Sequence, residues 1–108
     1  MKKVIKGKVY NTQTATKLAG TWHGKSYDDF NFEEQILYQT KKGALFLYKS
    51  GGANSSMGNG SMWGENITAY DSVDAIDWLM QAHESGEIIA DTYIEVAQKL
   101  GKKAPIEA

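Results

Sequence analysis

The sequence predicts an α+β fold, in which a small antiparallel sheet built around a β-hairpin at about residues 30–49 packs against two C-terminal helices. Polar and apolar residues alternate over residues 30–39, and a Lys-Lys-Gly turn joins this arm to a second apolar run. Beyond residue 70, apolar residues recur at helical spacing instead. The length of 108 residues, of which 42% are hydrophobic, is typical of one domain with its own core, so we expect a single domain over residues 1–108.

The first third of the chain predicts one strand and two irregular segments. Residues 2–10 are typical of an edge strand, because Ile5 and Val9 share one face while lysines occupy the other. A short helical turn is expected between about residues 12 and 18, since a capping residue precedes it and a glycine follows. Residues 21–29 are expected to form a loop.

The second arm of the hairpin and the loop after it have opposite characters. Residues 44–48 are apolar on both parities, which is typical of a central strand covered on both faces. Residues 50–64 are rich in glycine, serine and asparagine and predict a Gly/Ser-rich loop without regular structure. The loop lacks the spacing of a dinucleotide-binding motif, because Trp63 stands where the third glycine belongs. A flexible or partner-ordered loop is therefore favoured over phosphate binding.

The last third predicts a strand at 65–70, helices at about 72–85 and 88–100, and a loose tail at 102–108. Each helix has a glycine directly after it. In the first helix, one apolar stripe is expected to face the core, and it contains Val73, Ile76, Leu79, Met80 and His83. Trp78, with Ala75 and Ala82, lies on the other side, where it either packs internally or meets a partner. Internal packing is the favoured alternative.

Charge is distributed unevenly along the chain. Residues 1–50 hold nine lysines against four acids, a balance of +5, and residues 51–108 hold three lysines against nine acids, a balance of −6. No lysine occurs between residues 62 and 98, where eight acids lie. Arginine is absent from the whole chain, which disfavours sequence-specific DNA recognition because arginine is the main reader of guanine edges. The sequence therefore indicates a dipolar molecule with an acidic C-terminal half.

The sequence offers little catalytic or metal-binding chemistry. It has no cysteine, so thiolate zinc sites are excluded, and its only histidines are His23 and His83. His83 falls in the predicted core stripe, which leaves His23 as the better base, yet no nucleophile is placed beside it. We expect no enzyme activity, no catalytic residues, no metal and no cofactor. No apolar run is long enough for a secretory signal or a membrane span, so we expect a cytoplasmic protein without membrane contact.

Two regions are predicted to bind a protein partner. The first is an acidic surface on the two helices, and the second is the loop at 50–64, with adaptable and aromatic side chains. The predicted contact residues are Asp71, Asp74, Asp77, Glu84, Glu87, Asp91, Glu95, Met57, Met62 and Trp63. Reversing Asp74, Asp77 and Asp91 to lysine is expected to weaken partner binding without changing the thermal midpoint. The alternative function is a small DNA-binding or regulatory module that uses the N-terminal lysine cluster.

Motifs spread over most of the chain resemble a group of small accessory proteins from phages and mobile elements of Gram-positive gut bacteria. The residues that carry the resemblance are Met1 to Thr12, Thr14–Ala15, Asp29–Phe30, Glu34, Leu37–Tyr38, Thr40, Gly43, Phe46 to Tyr48, Gly51 to Ala53, Trp63 to Glu65, Ala75 and Trp78. The C-terminus departs from the pattern by being longer and more helical. This group includes anti-CRISPR proteins, so the resemblance implies an inhibitor of a host defence nuclease such as a CRISPR effector, and it assigns no individual residue a role.

Overall fold

The computed structural model describes residues 1–58, 60, 63–101 and 107–108. Within these residues, two antiparallel sheets of two and four strands precede two C-terminal helices that pack against the larger sheet, which confirms the predicted α+β class. The elements in chain order are β1 (Lys2–Ile5), β2 (Lys8–Asn11), β3 (Thr16–His23), β4 (Glu33–Gln39), β5 (Leu45–Gly51), β6 (Gly64–Tyr70), α1 (Ser72–Glu84) and α2 (Ala90–Lys99).

The larger sheet is a four-stranded antiparallel meander in the order β3-β4-β5-β6. Its β4–β5 hairpin is the one that the alternation predicts, although the first arm begins at Glu33 and not at residue 30. Strand β5 is central, as its two apolar parities predict, because Phe46 and Leu47 are fully buried on opposite faces. The regular strands extend into the predicted loop at 50–64 from both sides, so the connection between them covers residues 52–63.

The N-terminal third differs from its prediction. The expected single strand is a hairpin, because Lys6 and Gly7 both adopt positive φ angles, of 49° and 78°, and turn the chain tightly between β1 and β2. The expected helical turn at 12–18 is wrong, since β3 begins at Thr16 and continues through the first part of the predicted loop. The side chain of Asn11 does accept a hydrogen bond of 2.9 Å from the amide of Gln13, but the turn that it caps ends before Thr16, where pairing with β4 begins. A bulge at Leu18 shifts the register, so that Lys17 and Ala19 lie on opposite faces.

Both helices cover one face of the four-stranded sheet. The buried core on this face consists of Ala19, Leu37, Leu45, Leu47, Ala75, Trp78, Leu79, Ala82, Ile88 and Val96. Asp71 is the N-cap of α1 and forms a capping box with Asp74, and Gly86 ends that helix with a φ of 83°. These caps confirm the predicted helix boundaries to within a residue at each end of α1.

The buried side of α1 carries Trp78 together with Leu79, so the predicted core stripe is only partly right. Leu79 is fully buried and Ile76 packs against the core, whereas Trp78 lies outside the predicted stripe. Trp78 is only 9% exposed, and its indole Nε1 donates a hydrogen bond of 2.8 Å to the side-chain oxygen of Gln35. The flanking alanines let the helix approach the sheet closely, while Val73 and Met80 of the predicted stripe are exposed. A wheel with two apolar sectors does not itself decide which sector faces the sheet. The preference for internal packing of Trp78 is confirmed.

The opposite face of the sheet is covered only in part. The β1–β2 hairpin packs on it through Tyr10, which contacts Phe46 and Ile67 in a second buried cluster. The remaining part of this face is the floor of the groove described below. In the described part of the chain, no helix is long and apolar enough to cross a membrane.

Candidate functional site

An open groove of about 330 Å³ lies on the sheet face opposite the helices, beside the part that the β1–β2 hairpin covers. Its lining consists of Tyr27, Phe32, Glu34, Tyr48, Ser50 and Trp63. Aromatic rings therefore form most of the surface, and a carboxylate stands among them. Such a concave, mainly apolar surface with a few polar groups is the usual form of a binding site.

The sheet register brings the floor of the groove together. Trp22 pairs with Glu34, and Glu34 pairs with Ser50, so these three side chains lie on one face across β3, β4 and β5. Tyr48 lies on the same face two residues before Ser50. The helices cover the other face, which explains why this one remains open.

Three aromatic rings form a tight cluster at one wall of the groove. The rings of Trp22 and Phe32 stack with centroids 5.3 Å apart, and Tyr27 meets both edge-on, at 4.7 Å from Trp22 and 5.4 Å from Phe32. Phe32 is buried, whereas Tyr27 is 68% exposed. Trp63 is 57% exposed and contributes to the lining from the connection between β5 and β6. The groove thus presents exposed rings on a buried aromatic base.

Two carboxylates give the groove a negative charge. The hydroxyl of Tyr48 donates a hydrogen bond of 2.7 Å to Glu65, and the hydroxyl of Tyr27 lies 3.5 Å from both carboxylate oxygens of Glu34. The negative charge of Glu34 raises the pKa of Tyr27. Burial, and then the bond to Glu65, raises the pKa of Tyr48 to about 12. Both tyrosines are therefore neutral near pH 7.

Tyr48 is expected to ionise near pH 12, above the ordinary value of 10.0. Because the folded state holds the neutral phenol, this group stabilises the fold fully below about pH 10, and that contribution is lost as the pH rises toward 12. Glu65→Gln removes the charge and is expected to lower the midpoint of this titration. Tyrosinate absorbance is followed against pH for the wild type and for Tyr48→Phe, and the difference between the two curves gives the titration of Tyr48. A Tyr48 midpoint near 10 would contradict the described burial and bond.

The connection between β5 and β6 supports the groove through backbone contacts with the segment before β4. The amide of Gly52 donates a hydrogen bond of 2.9 Å to the carbonyl oxygen of Phe32, and the amide of Asn54 donates one of 2.7 Å to the carbonyl oxygen of Phe30. The amide and hydroxyl of Ser56 both donate to one carboxylate oxygen of Glu33, at 3.0 and 2.9 Å, which lowers the pKa of Glu33. The groove therefore rests on two interlocked segments.

The predicted acidic contact residues do not line the groove. Asp71 and Asp74 are exposed but occupied in the capping box of α1. The side chains of Asp77, Glu84 and Asp91 are exposed on the two helices. Glu87 is half-buried and contacts His23, and Glu95 pairs with Lys99 at 3.3 Å. Asp74 and Asp77 line a small cavity of about 200 Å³ beside Trp78, and the other predicted acids do not line it.

The three residues predicted from the loop have different outcomes. Trp63 lines the groove. Met57 is half-buried, and its amide donates to the hydroxyl of Ser55 at 3.2 Å. Met62 lies outside the described residues.

The two histidines lie away from the groove. His23 follows Trp22 in β3, so its side chain is on the helix-covered face, where its Nε2 contacts the carboxylate of Glu87. The sequence predicts His83 in the core stripe of α1, but its side chain is exposed. Its Nδ1 lies 2.9 Å from the carbonyl oxygen of Ile88. Among the described residues, no group of three or more metal-ligating side chains converges. The arrangement of the groove suits binding by ring faces and charge.

Sequence reasoning misses most of the groove. It predicts neither the adjoining Trp22 and Glu65 nor the lining residues Tyr27, Phe32, Glu34, Tyr48 and Ser50. One signal points to it in retrospect. Glu34 shares the parity of Phe32, Ile36 and Tyr38, so a carboxylate interrupts an apolar face of β4. A charge in such a position indicates that this part of the face is open.

No protein-family model matches the chain, and neither the curated proteins nor the solved structures include a significant match to it.

Proposed function

We propose that this chain is a non-enzymatic protein-binding accessory factor of a mobile element. The observation that carries the proposal is the concentration of exposed aromatic side chains at one end of the sheet. Tyr27, Trp63 and the neighbouring Phe30, which is 67% exposed, surround or adjoin the groove. Exposed tryptophan and tyrosine on a rigid base are the residues that dominate protein interfaces energetically.

The more specific proposal is an anti-CRISPR-type inhibitor of a host defence nuclease in the cytoplasm. It is supported by the charge distribution, because the chain carries eight acids and no lysine from residue 62 to residue 98. A nuclease holds nucleic acid in a basic channel, and an acidic protein surface is attracted to the same channel. The aromatic groove would then supply affinity while the acidic helices speed association and orient the complex.

The direct test is cleavage of target DNA by a purified CRISPR effector in the presence of increasing amounts of this protein. We expect inhibition by the wild type and at least about tenfold weaker inhibition by Trp63→Ala, since truncation of an aromatic hot-spot residue costs about 2 kcal/mol or more. Tyr93→Phe, which changes a half-buried residue of α2, is the matched control. Full cleavage at saturating wild-type protein, across the effectors of its host, would refute this specific proposal.

The acidic helices need a different test from the one that the sequence indicates. The carboxylate of Asp74 accepts a hydrogen bond of 3.1 Å from the amide of Asp71, so Asp74→Lys is expected to destabilise the helix by about 1 kcal/mol. Asp77 and Glu84 are exposed on the same helix. Their double replacement by lysine is expected to keep the thermal midpoint within about 2 °C, as surface substitutions usually do, while slowing association with the effector. An unchanged association rate would remove the acidic helices from the proposal.

A DNA-binding or regulatory module is the second candidate. The observation that favours it is a concave surface of about 550 Å³ between the β1–β2 hairpin and β6, whose lining includes Lys3, Lys6 and Lys8. The ammonium of Lys3 already donates to Asn66 and to the carbonyl of Ile67, which leaves less charge for phosphate. This candidate requires duplex binding that weakens steeply with salt and is lost in Lys6→Gln/Lys8→Gln. Fluorescence anisotropy of a labelled duplex at two salt concentrations distinguishes it from the first.

A further inference from the structure

The groove has the chemistry of a cation site. Its lining contains four aromatic residues, and the face of an aromatic ring carries partial negative charge and attracts a cation within about 6 Å of the ring centroid. Tyr27 and Trp63 are exposed from opposite segments of chain, one before β4 and one before β6. A side chain entering the groove therefore meets rings contributed by two segments.

The charge in the groove selects against other occupants. Glu34 is part of the lining, and Glu65 lies directly behind Tyr48 at hydrogen-bond distance. Of the described lining residues, none is basic. A neutral apolar side chain would displace the water around the Glu34 carboxylate and offer it no hydrogen bond in return, which costs free energy. An anion would be repelled by the same carboxylate. A cation replaces the lost water by a charge-assisted hydrogen bond to the carboxylate, and it is also attracted to the faces of the aromatic rings.

The geometry points to recognition of a basic side chain, arginine or lysine, that a protein partner inserts between Tyr27 and Trp63. This inference rests on the proposed protein-binding function and specifies the chemistry of its central contact. The planar guanidinium of arginine suits the site best, because it stacks on one ring and still donates to Glu34. The apolar stem of the side chain then lies against the wall that contains Phe32.

The test uses nuclear magnetic resonance of the three tryptophan indole groups of the folded protein. Trp22 and Trp63 report on the groove, and Trp78 is an internal control, because its indole is bonded to Gln35 in the core on the other face. The probe is an acetylated and amidated Gly-Arg-Gly peptide. The matched probe replaces arginine with citrulline, which has the same shape without the charge.

We expect the arginine peptide to shift the Trp22 and Trp63 signals in a saturable way while the Trp78 signal stays in place. The citrulline peptide is expected to bind at least about fivefold more weakly, as loss of a partly desolvated cation–π contact implies. Glu34→Gln is expected to weaken binding of the arginine peptide by about fivefold as well, whereas Glu84→Gln, which changes an exposed acid of α1, is expected to leave that binding unchanged. Trp63→Leu provides a second groove variant, should Glu34→Gln perturb the sheet.

Three results would overturn the inference: equal binding of the citrulline peptide, movement of all three indole signals together, or equal weakening by Glu84→Gln. Its failure is distinguishable from failure of the proposed function. If an effector binds and Glu34→Gln leaves that complex intact, the protein-binding function stands and the cation site does not. If the arginine peptide binds but no effector is inhibited, the cation site stands and the nuclease inhibitor does not.

Discussion

Phe46→Ala is expected to lower the free energy of unfolding by about 3–5 kcal/mol, the range measured for large-to-small changes at buried aromatic positions. Phe46 is fully buried on the central strand β5. Its ring stacks on Tyr38 with centroids 5.1 Å apart and meets the ring of Tyr10 edge-on at 5.6 Å. The substitution leaves a cavity between the sheet and the β1–β2 hairpin, so the hairpin loses its anchor.

Denaturant unfolding monitored by circular dichroism measures the loss, provided that the free energy of unfolding of the wild type and of the variant depends on denaturant concentration with the same slope. The matched control is Phe30→Ala, which removes the same side chain from a position that is largely exposed, and it is expected to change stability by less than about 0.5 kcal/mol. Phe46→Leu, which keeps most of the volume, provides a folded variant if alanine unfolds the chain. A loss below about 1 kcal/mol for Phe46→Ala would mean that the hairpin does not pack on the sheet as described.

Gly52→Ala is the second substitution with a large expected effect. A Cβ atom at this position would lie 2.5 Å from the carbonyl oxygens of both Asp29 and Phe30, which is closer than real Cβ contacts come. The two segments cannot easily separate, because the amide of Gly52 bonds to Phe32 and that of Asn54 bonds to Phe30. We expect a loss of about 2–3 kcal/mol, at the upper end of the usual cost of overpacking.

Gly20→Ala is the control for this prediction, since the nearest atom to a Cβ there is the terminal methylene of the flexible Lys17 side chain, at 3.1 Å. Its expected change is within about 0.5 kcal/mol. Thermal unfolding of both variants gives the comparison, and the indole signals of Trp22 and Trp63 report whether the groove changes shape. Equal stability of the two variants would contradict the close approach of residues 29–30 to residue 52.

The connection between β5 and β6 shows how composition can mislead about order. Its glycines and serines predict a loop, and residues 52–63 are indeed without regular strands or helices in the described part. Yet several of these glycines are needed for close packing and not for freedom of motion: a Cβ at Gly58 would meet the backbone of Gly52 and Ala53, and one at Gly64 would meet that of Met57. Composition does not distinguish a glycine that is needed for a positive φ angle from one that is needed because neighbouring backbone leaves no space for a Cβ atom.

Several features of the fold follow from the sequence by itself. The period-two alternation on β4, the two apolar parities of β5 and the capping residue Asp71 each depend on neighbours within a few positions, so local physics determines them. The same holds for the stop at Gly86, where a positive φ favours glycine. The α+β class is the sum of these local features.

Tertiary structure alone decided which faces meet. Helix α1 has two apolar sectors, and the Trp78 sector faces the sheet because its alanines allow close approach and Gln35 accepts from the indole. The bulge at Leu18 and the edge position of β3 arise from pairing with β4, which local signals at residues 12–18 do not contain. The groove depends on such pairing entirely: Trp22, Glu34 and Ser50 become neighbours only through the register of three strands, and Trp63 joins them through the packing of a loop. Alternation shows that residues share a face, but only the paired sheet determines which residues of different strands stand side by side.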